Sequence, residues 1–167
     1  TPRLAVRSLD QSKAMVLAGT ENAEQPFFSP DGLWIGFFAG QQLKKISIQG
    51  GAAVALCAVG GAPRGASWGD DGYIVANLDN RRLSRVPAAG GTPEIIGNPE
   101  EHGERTWRFP QLLAGGSLVL FTATAANIGM GFDDASIEVL SLKTGKVKII
   151  QRGGYYGRYL PSGHLVY

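Results

Sequence analysis

Residues able to do bond-making chemistry are sparse in this 167-residue chain. Hydrolysis by a nucleophile needs a base beside it and a third group to orient the base. The only two histidines are His102, in the polar stretch "NPEEHGER", and His164, directly after "PSG"; no GxSxG motif accompanies either. Adjacent carboxylates occur in "GDDG" (69–72) and "FDDA" (132–135). Calcium loops alternate their oxygen ligands over roughly a dozen residues, and glycoside hydrolysis needs two carboxylates facing each other. Neither pattern is present, so Asp70 and Asp71 read as turn formers. "GGAPRGASWG" is glycine-rich but does not open a helix, and so lacks the setting of a phosphate cradle. Cys57 is the lone cysteine, inside the apolar run "AAVALCAV", which excludes an internal disulfide and a CxxC site. These residues lead us to expect a non-enzymatic chain with no catalytic centre, no metal and no cofactor.

A second set of residues is distinguished by register. Four turn glycines, Gly32, Gly72, Gly116 and Gly163, are separated by 40, 44 and 47 residues. Counting back eight from each gives Glu24, Arg64, Arg108 and Tyr155, with Arg105, Trp107, Tyr156 and Arg158 close by. Arg, Trp and Tyr are the types enriched in binding hot spots. The competing reading is architectural, with each arginine bonded to a neighbouring carboxylate or carbonyl and the rings packed between repeats. The insertion "TAANIGMGFDDA" around 122–135 adds Ile128, Met130 and Phe132, as a contact surface or a lid.

The elements that must position these residues form a repeat. "FFSPDGLWIGFF", "SWGDDGYIVAN", "PQLLAGGSLVLFTA" and "YLPSGHLVY" each place a turn between two apolar runs. They alternate with "LAVRSLD", "LKKISIQGG", "LSRVPAAGG" and "IEVLSLKTG", whose alternating apolar and polar residues suit half-buried strands. The GG or TG pair supplies a hairpin turn into another short strand. Twenty-four glycines without a three-residue period fit many tight turns. Four antiparallel strands in about 40–47 residues is the size of one propeller blade.

The SPDG corner after an aromatic, followed by "WIGFF", resembles the WD-like repeats of TolB-type β-propellers. "LSRVPAAGGTP", "GFDDASIEVLSLKTG" and "GGYYGRYLPSGHLVY" look similar to propeller regions attached to bacterial eukaryotic-like Ser/Thr protein kinases. The resemblance covers the whole chain, although only the first repeat keeps the full corner motif. It implies an all-β propeller of four-stranded antiparallel blades, with about four blades' worth of strands in one domain over 1–167. The strand entering each corner would be innermost, giving three intact blades and two complementary halves. A closed four-bladed ring, a homodimer completing an eight-bladed ring, and a segment of a longer propeller all satisfy that count.

Two functions follow from the resemblance. One is a binding or scaffold module, part of a larger signalling protein, that holds a protein, peptide or small ligand at one channel mouth. The other is the substrate-gating propeller of a prolyl-oligopeptidase-like peptidase whose catalytic domain lies elsewhere. A protein or peptide partner is expected, in an extracytoplasmic setting by resemblance alone. The net charge of +2 is dispersed, without basic runs, which argues against nucleic acid. No stretch approaches the ~20 apolar residues of a membrane span, so no membrane contact is expected within this segment.

Overall fold

The computed structural model describes residues 1–113, 115–125 and 134–167. Three four-stranded antiparallel sheets lie in chain order. The first comprises β3 (Glu24–Phe28), β4 (Trp34–Ala39), β5 (Gln42–Ser47) and β6 (Val54–Ala58). The second comprises β7 (Ala66–Trp68), β8 (Tyr73–Asn77), β9 (Leu83–Pro87) and β10 (Glu94–Gly97). The third comprises β11 (Glu104–Leu112), β12 (Leu118–Ala125), β13 (Ser136–Ser141) and β14 (Val147–Arg152). Before them stands the hairpin of β1 (Ala5–Val6) and β2 (Met15–Val16), and after them that of β15 (Arg158–Tyr159) and β16 (Leu165–Val166). The three intact blades and two half blades are therefore those expected from the repeat. Among the described residues the halves remain separate two-stranded sheets and build no composite blade, so these residues form an arc of a propeller rather than a closed four-bladed ring.

The corners behave as backbone turns. Gly32, Gly72, Gly116 and Gly163 all have positive φ, between 63° and 86°, which a residue without Cβ adopts at least cost. In the first corner the Ser29 hydroxyl donates to Asp31 Oδ1 at 2.5 Å, and that oxygen also accepts from the Leu33 N–H at 2.9 Å. Asp71 repeats the second contact, accepting from the Tyr73 N–H at 3.1 Å. The motif is a self-contained turn, which is why its other residues are replaceable.

Alternation along each strand places the core in the seams between blades. In β4, Ile35, Phe37 and Ala39 pack toward Leu17 of the first half blade, while Phe38 points toward the second blade. In β8, Ile74 and Ala76 face the first blade, whereas Val75 joins Trp107, Val119 and Phe121 of the third. Second strands are thus buried on both faces, which explains their unbroken apolar runs. Strands β3 and β7 pack side by side, as do β7 and β11, so the strand entering each corner is innermost. Cys57 sits half-buried beside the first seam, where burial raises its thiol pKa. Among the described residues, no helix is long and apolar enough to cross a membrane.

Candidate functional site

The same backbone irregularity recurs at or near each inner strand. Seven residues before the corner glycines, Gln25, Gly65, Phe109 and Tyr156 have φ of 50°, 95°, 52° and 59°. Three of the four carry side chains that rarely take this conformation. The ladder registers slip at these points, between Glu24 and Phe27 in β3 and between Arg108 and Gln111 in β11. A bulge of this kind re-aims successive side chains.

The bulges also connect neighbouring blades. Gln25 Nε2 donates to the Pro63 carbonyl at 2.9 Å, and the Phe109 N–H donates to the Arg64 carbonyl at 2.6 Å. Arg158 Nη1 donates to the Phe109 carbonyl at 3.0 Å, continuing the chain of contacts into the last hairpin. Deeper in the same seam, Asn77 Nδ2 donates to the Trp107 carbonyl at 2.7 Å.

Along the inner strands lies an open hollow of about 510 Å³ lined by Phe27, Trp68, Phe109 and Tyr156, with Gln25, Ser67, Gln111 and Arg158 among its polar members. Phe109 meets Tyr155 and Tyr156 edge-on, with ring centroids 5.4 and 5.0 Å away. The Arg158 guanidinium lies over the Tyr156 ring at 4.1 Å. Gln25 Oε1 is buried without a hydrogen-bond partner among the described residues.

The register-defined residues separate into three groups. Arg64, Arg105, Arg108, Tyr155, Tyr156 and Arg158 come together at one end of the inner strands. Arg108 is half-buried there; its burial, with repulsion from Arg64 and Arg105, holds its pKa below the ordinary guanidinium value. Arg64 Nε donates to Asn80 Oδ1 at 3.1 Å. Glu24 stands apart, in a separate hollow of about 210 Å³ that includes Pro63. Trp107 lies underneath, 1% exposed, with its ring 4.5 Å from Phe121 and 5.5 Å from His102. Ile128, Met130 and Phe132 of the insertion lie outside the described residues.

Sequence reasoning missed two features. The cavity wall is set one residue beyond the chosen register, at Gln25 and Phe109; the shared offset from the corner could have found it. The second is a pair of carboxyl groups in the seam between the second and third blades. Glu138 is 1% exposed and accepts from the Ser136 hydroxyl at 2.5 Å, while Glu104 accepts from the Trp107 indole N–H. Burial, then repulsion from Glu138, pushes the Glu104 pKa up to about 7. Glu138 shares the face of Leu140 in "IEVLSL", and a charged residue in an apolar register was the available signal.

The other candidates are placed simply. His102 packs on Trp107, and His164 Nδ1 lies 3.0 Å from Ser162 Oγ. Asp71 pairs with Arg85 at 2.8 Å. Among the described residues, no cluster of three or more His, Cys, Asp or Glu could hold a metal ion.

The blade order, the seams and the packing of the inner strands are those of a β-propeller, similar in fold to TolB. TolB from Acinetobacter baumannii superposes with a TM-score of 0.77 at 16% identity, over 99% of this chain and 42% of that one. Nidogen in its complex with laminin matches at a TM-score of 0.67 and 12% identity, over 86% of this chain and 54% of that one. A puromycin hydrolase complexed with PGG matches at a TM-score of 0.60 and 16% identity, over 91% of this chain and 26% of that one. This chain therefore spans about two-fifths of the length of the A. baumannii TolB. No family model and no curated protein matches the sequence.

Proposed function

We propose that this propeller arc is a non-enzymatic binding module that holds a protein or peptide partner at the channel mouth. The observation that carries this reading is the gathering of Arg64, Arg105, Arg108, Tyr155, Tyr156 and Arg158 at one end of the inner strands, beside an aromatic-lined open hollow. Such residue types supply large contact area and directional hydrogen bonds at modest entropic cost. Nidogen, a structural neighbour, is seen bound to laminin, so this architecture supports protein association elsewhere. An extracytoplasmic setting accords with the TolB likeness and belongs to the same proposal.

The second reading, a propeller that gates a peptidase, is favoured by the likeness to the puromycin hydrolase. In that case the mouth would steer peptides toward a separate catalytic domain. The two readings share a peptide-facing mouth and differ in the parent protein.

Panning a phage-displayed random dodecapeptide library against the purified chain tests the proposal. Captured peptides whose binding weakens in a Tyr155→Ala/Tyr156→Ala variant of unchanged melting temperature support it. Binders indifferent to those substitutions overturn the site, and labelling of the chain by a fluorophosphonate probe overturns the non-enzymatic reading.

A further inference from the structure

We infer that the partner segment is proline-rich, seated as a polyproline II stretch in the open hollow along the inner strands. The inference deepens the binding proposal and rests on it.

The hollow combines ring faces with hydrogen-bond donors. Two aromatic pairs border it: Phe27 with Trp68, whose ring centroids are 6.3 Å apart, and Phe109 with Tyr156, 5.0 Å apart. Phe28 adds a further ring to the lining and is 60% exposed. The volume of about 510 Å³ falls within the usual range of ligand sites.

The polar side chains around the hollow have little acceptor capacity left. Among the described residues that line it there is no aspartate or glutamate. The Gln111 amide is taken up by the Tyr159 backbone: Nε2 donates to the carbonyl at 2.9 Å, and Oε1 accepts from the N–H at 2.8 Å. Gln25 Nε2 donates to the Pro63 carbonyl, and its Oε1 is buried out of reach of solvent. Ser67 Oγ accepts from the Leu112 N–H at 3.0 Å, which leaves its own hydrogen to donate. Donors are the larger reserve. The Trp68 indole N–H has no partner among the described residues. Arg158 commits Nη1 to the carbonyls of Phe109 and Gly157 and keeps Nε and Nη2 for another acceptor.

A ligand suited to this lining brings carbonyl oxygens and flat apolar faces. It also brings few N–H groups, because each one buried without an acceptor costs free energy. An ordinary peptide carries one N–H per residue, whereas proline has none and keeps its carbonyl. Aromatic-lined grooves are the recurring receptors for such segments. In polyproline II, prolines three residues apart lie on the same side, about 9 Å along the axis. One segment therefore has a ring for each aromatic pair. Its conformation is largely set before docking, which lowers the ordering cost.

The test measures, by fluorescence anisotropy, binding of the chain to a dye-labelled dodecapeptide of four Pro-Pro-Leu repeats. Two counterparts carry alanine or N-methylalanine in place of each proline. The proline peptide should bind at least tenfold tighter than the alanine peptide, and proline should predominate among the panned peptides. N-methylalanine, which lacks both the N–H and the ring, should fall between. Phe28→Ala, at an exposed position, should weaken the proline peptide at least fivefold at an unchanged melting temperature. Trp68→Phe keeps a ring, removes the indole N–H and should weaken it at least threefold; Phe28→Ala alone decides if that variant melts lower. Equal affinity for the proline and alanine peptides overturns the proline-rich partner, and affinity indifferent to Phe28→Ala overturns its seat. Panned peptides without proline that still depend on Tyr155 and Tyr156 overturn this inference and leave the binding module intact. Capture of no peptide, together with no binding of the proline peptide, removes both proposals.

Discussion

The N–H of Phe109 donates to the carbonyl of Arg64 at 2.6 Å, across the boundary between the second and third blades. The bond goes with a left-handed Phe109, at φ 52°, where a non-glycine residue is uncommon. The same conformation recurs at Gln25, Gly65 and Tyr156, so it belongs to the way inner strands meet their neighbours.

This conformation makes glycine the better small residue at a strand position. Phe109→Ala and Phe109→Gly both remove the ring contacts, but only alanine retains a Cβ that strains the left-handed backbone. Phe109→Gly should be the more stable by about 1 kcal/mol, the reverse of the usual order inside strands. Thermal melting of the two variants reads the difference.

Trp107 and Gly97 are matched in shape. A Cβ at Gly97 would come 2.1 Å from the Trp107 ring, so Gly97→Ala forces the indole out of its seam. We expect a loss of about 1–3 kcal/mol for Gly97→Ala and of about 3–5 kcal/mol for Trp107→Ala. Chemical denaturation checks both, and a nearly unchanged Trp107→Ala midpoint would contradict the packing.

Glu104 ties stability to pH. Its folded pKa, about 7, lies above the ordinary glutamate value of 4.5 because burial and Glu138 disfavour the charged form. The folded state therefore holds a proton that the unfolded chain releases, and this contribution is complete below pH 4.5. It declines as pH rises and is lost through about pH 7. Allowing for solvent at this half-buried group, the change is on the order of 1–2 kcal/mol. The melting temperature should fall by a few degrees between pH 5.5 and 8, and Glu104→Gln should flatten that dependence.

Turn glycines and strand periodicity made the fold legible, because a blade's backbone demands recur wherever the blade does. "WIGFF" and "YIVAN" announced apolar strands leaving the corners, and the alternation of "LKKISIQ" announced a half-buried one. The mouth was legible only in part. Equal offsets from the corner put Arg64, Arg108 and Tyr155 in register, but a residue count cannot show the bulge that sends Phe109 inward. Nor could residue type separate Trp107, which fills the seam, from Tyr155 and Tyr156 at the rim. The Glu104–Glu138 proximity depends on β11 and β13 flanking the same central strand, a relation between residues 34 apart in sequence.

Hydrogen–deuterium exchange of the chain, free and saturated with the best panned peptide, tests the binding role at the mouth most directly. The structure predicts protection concentrated in 63–66, 105–110 and 154–158, with the corners at 29–33 and 69–73 unchanged. Protection confined to those corners, or to the outer strands β6, β10 and β14, would contradict it.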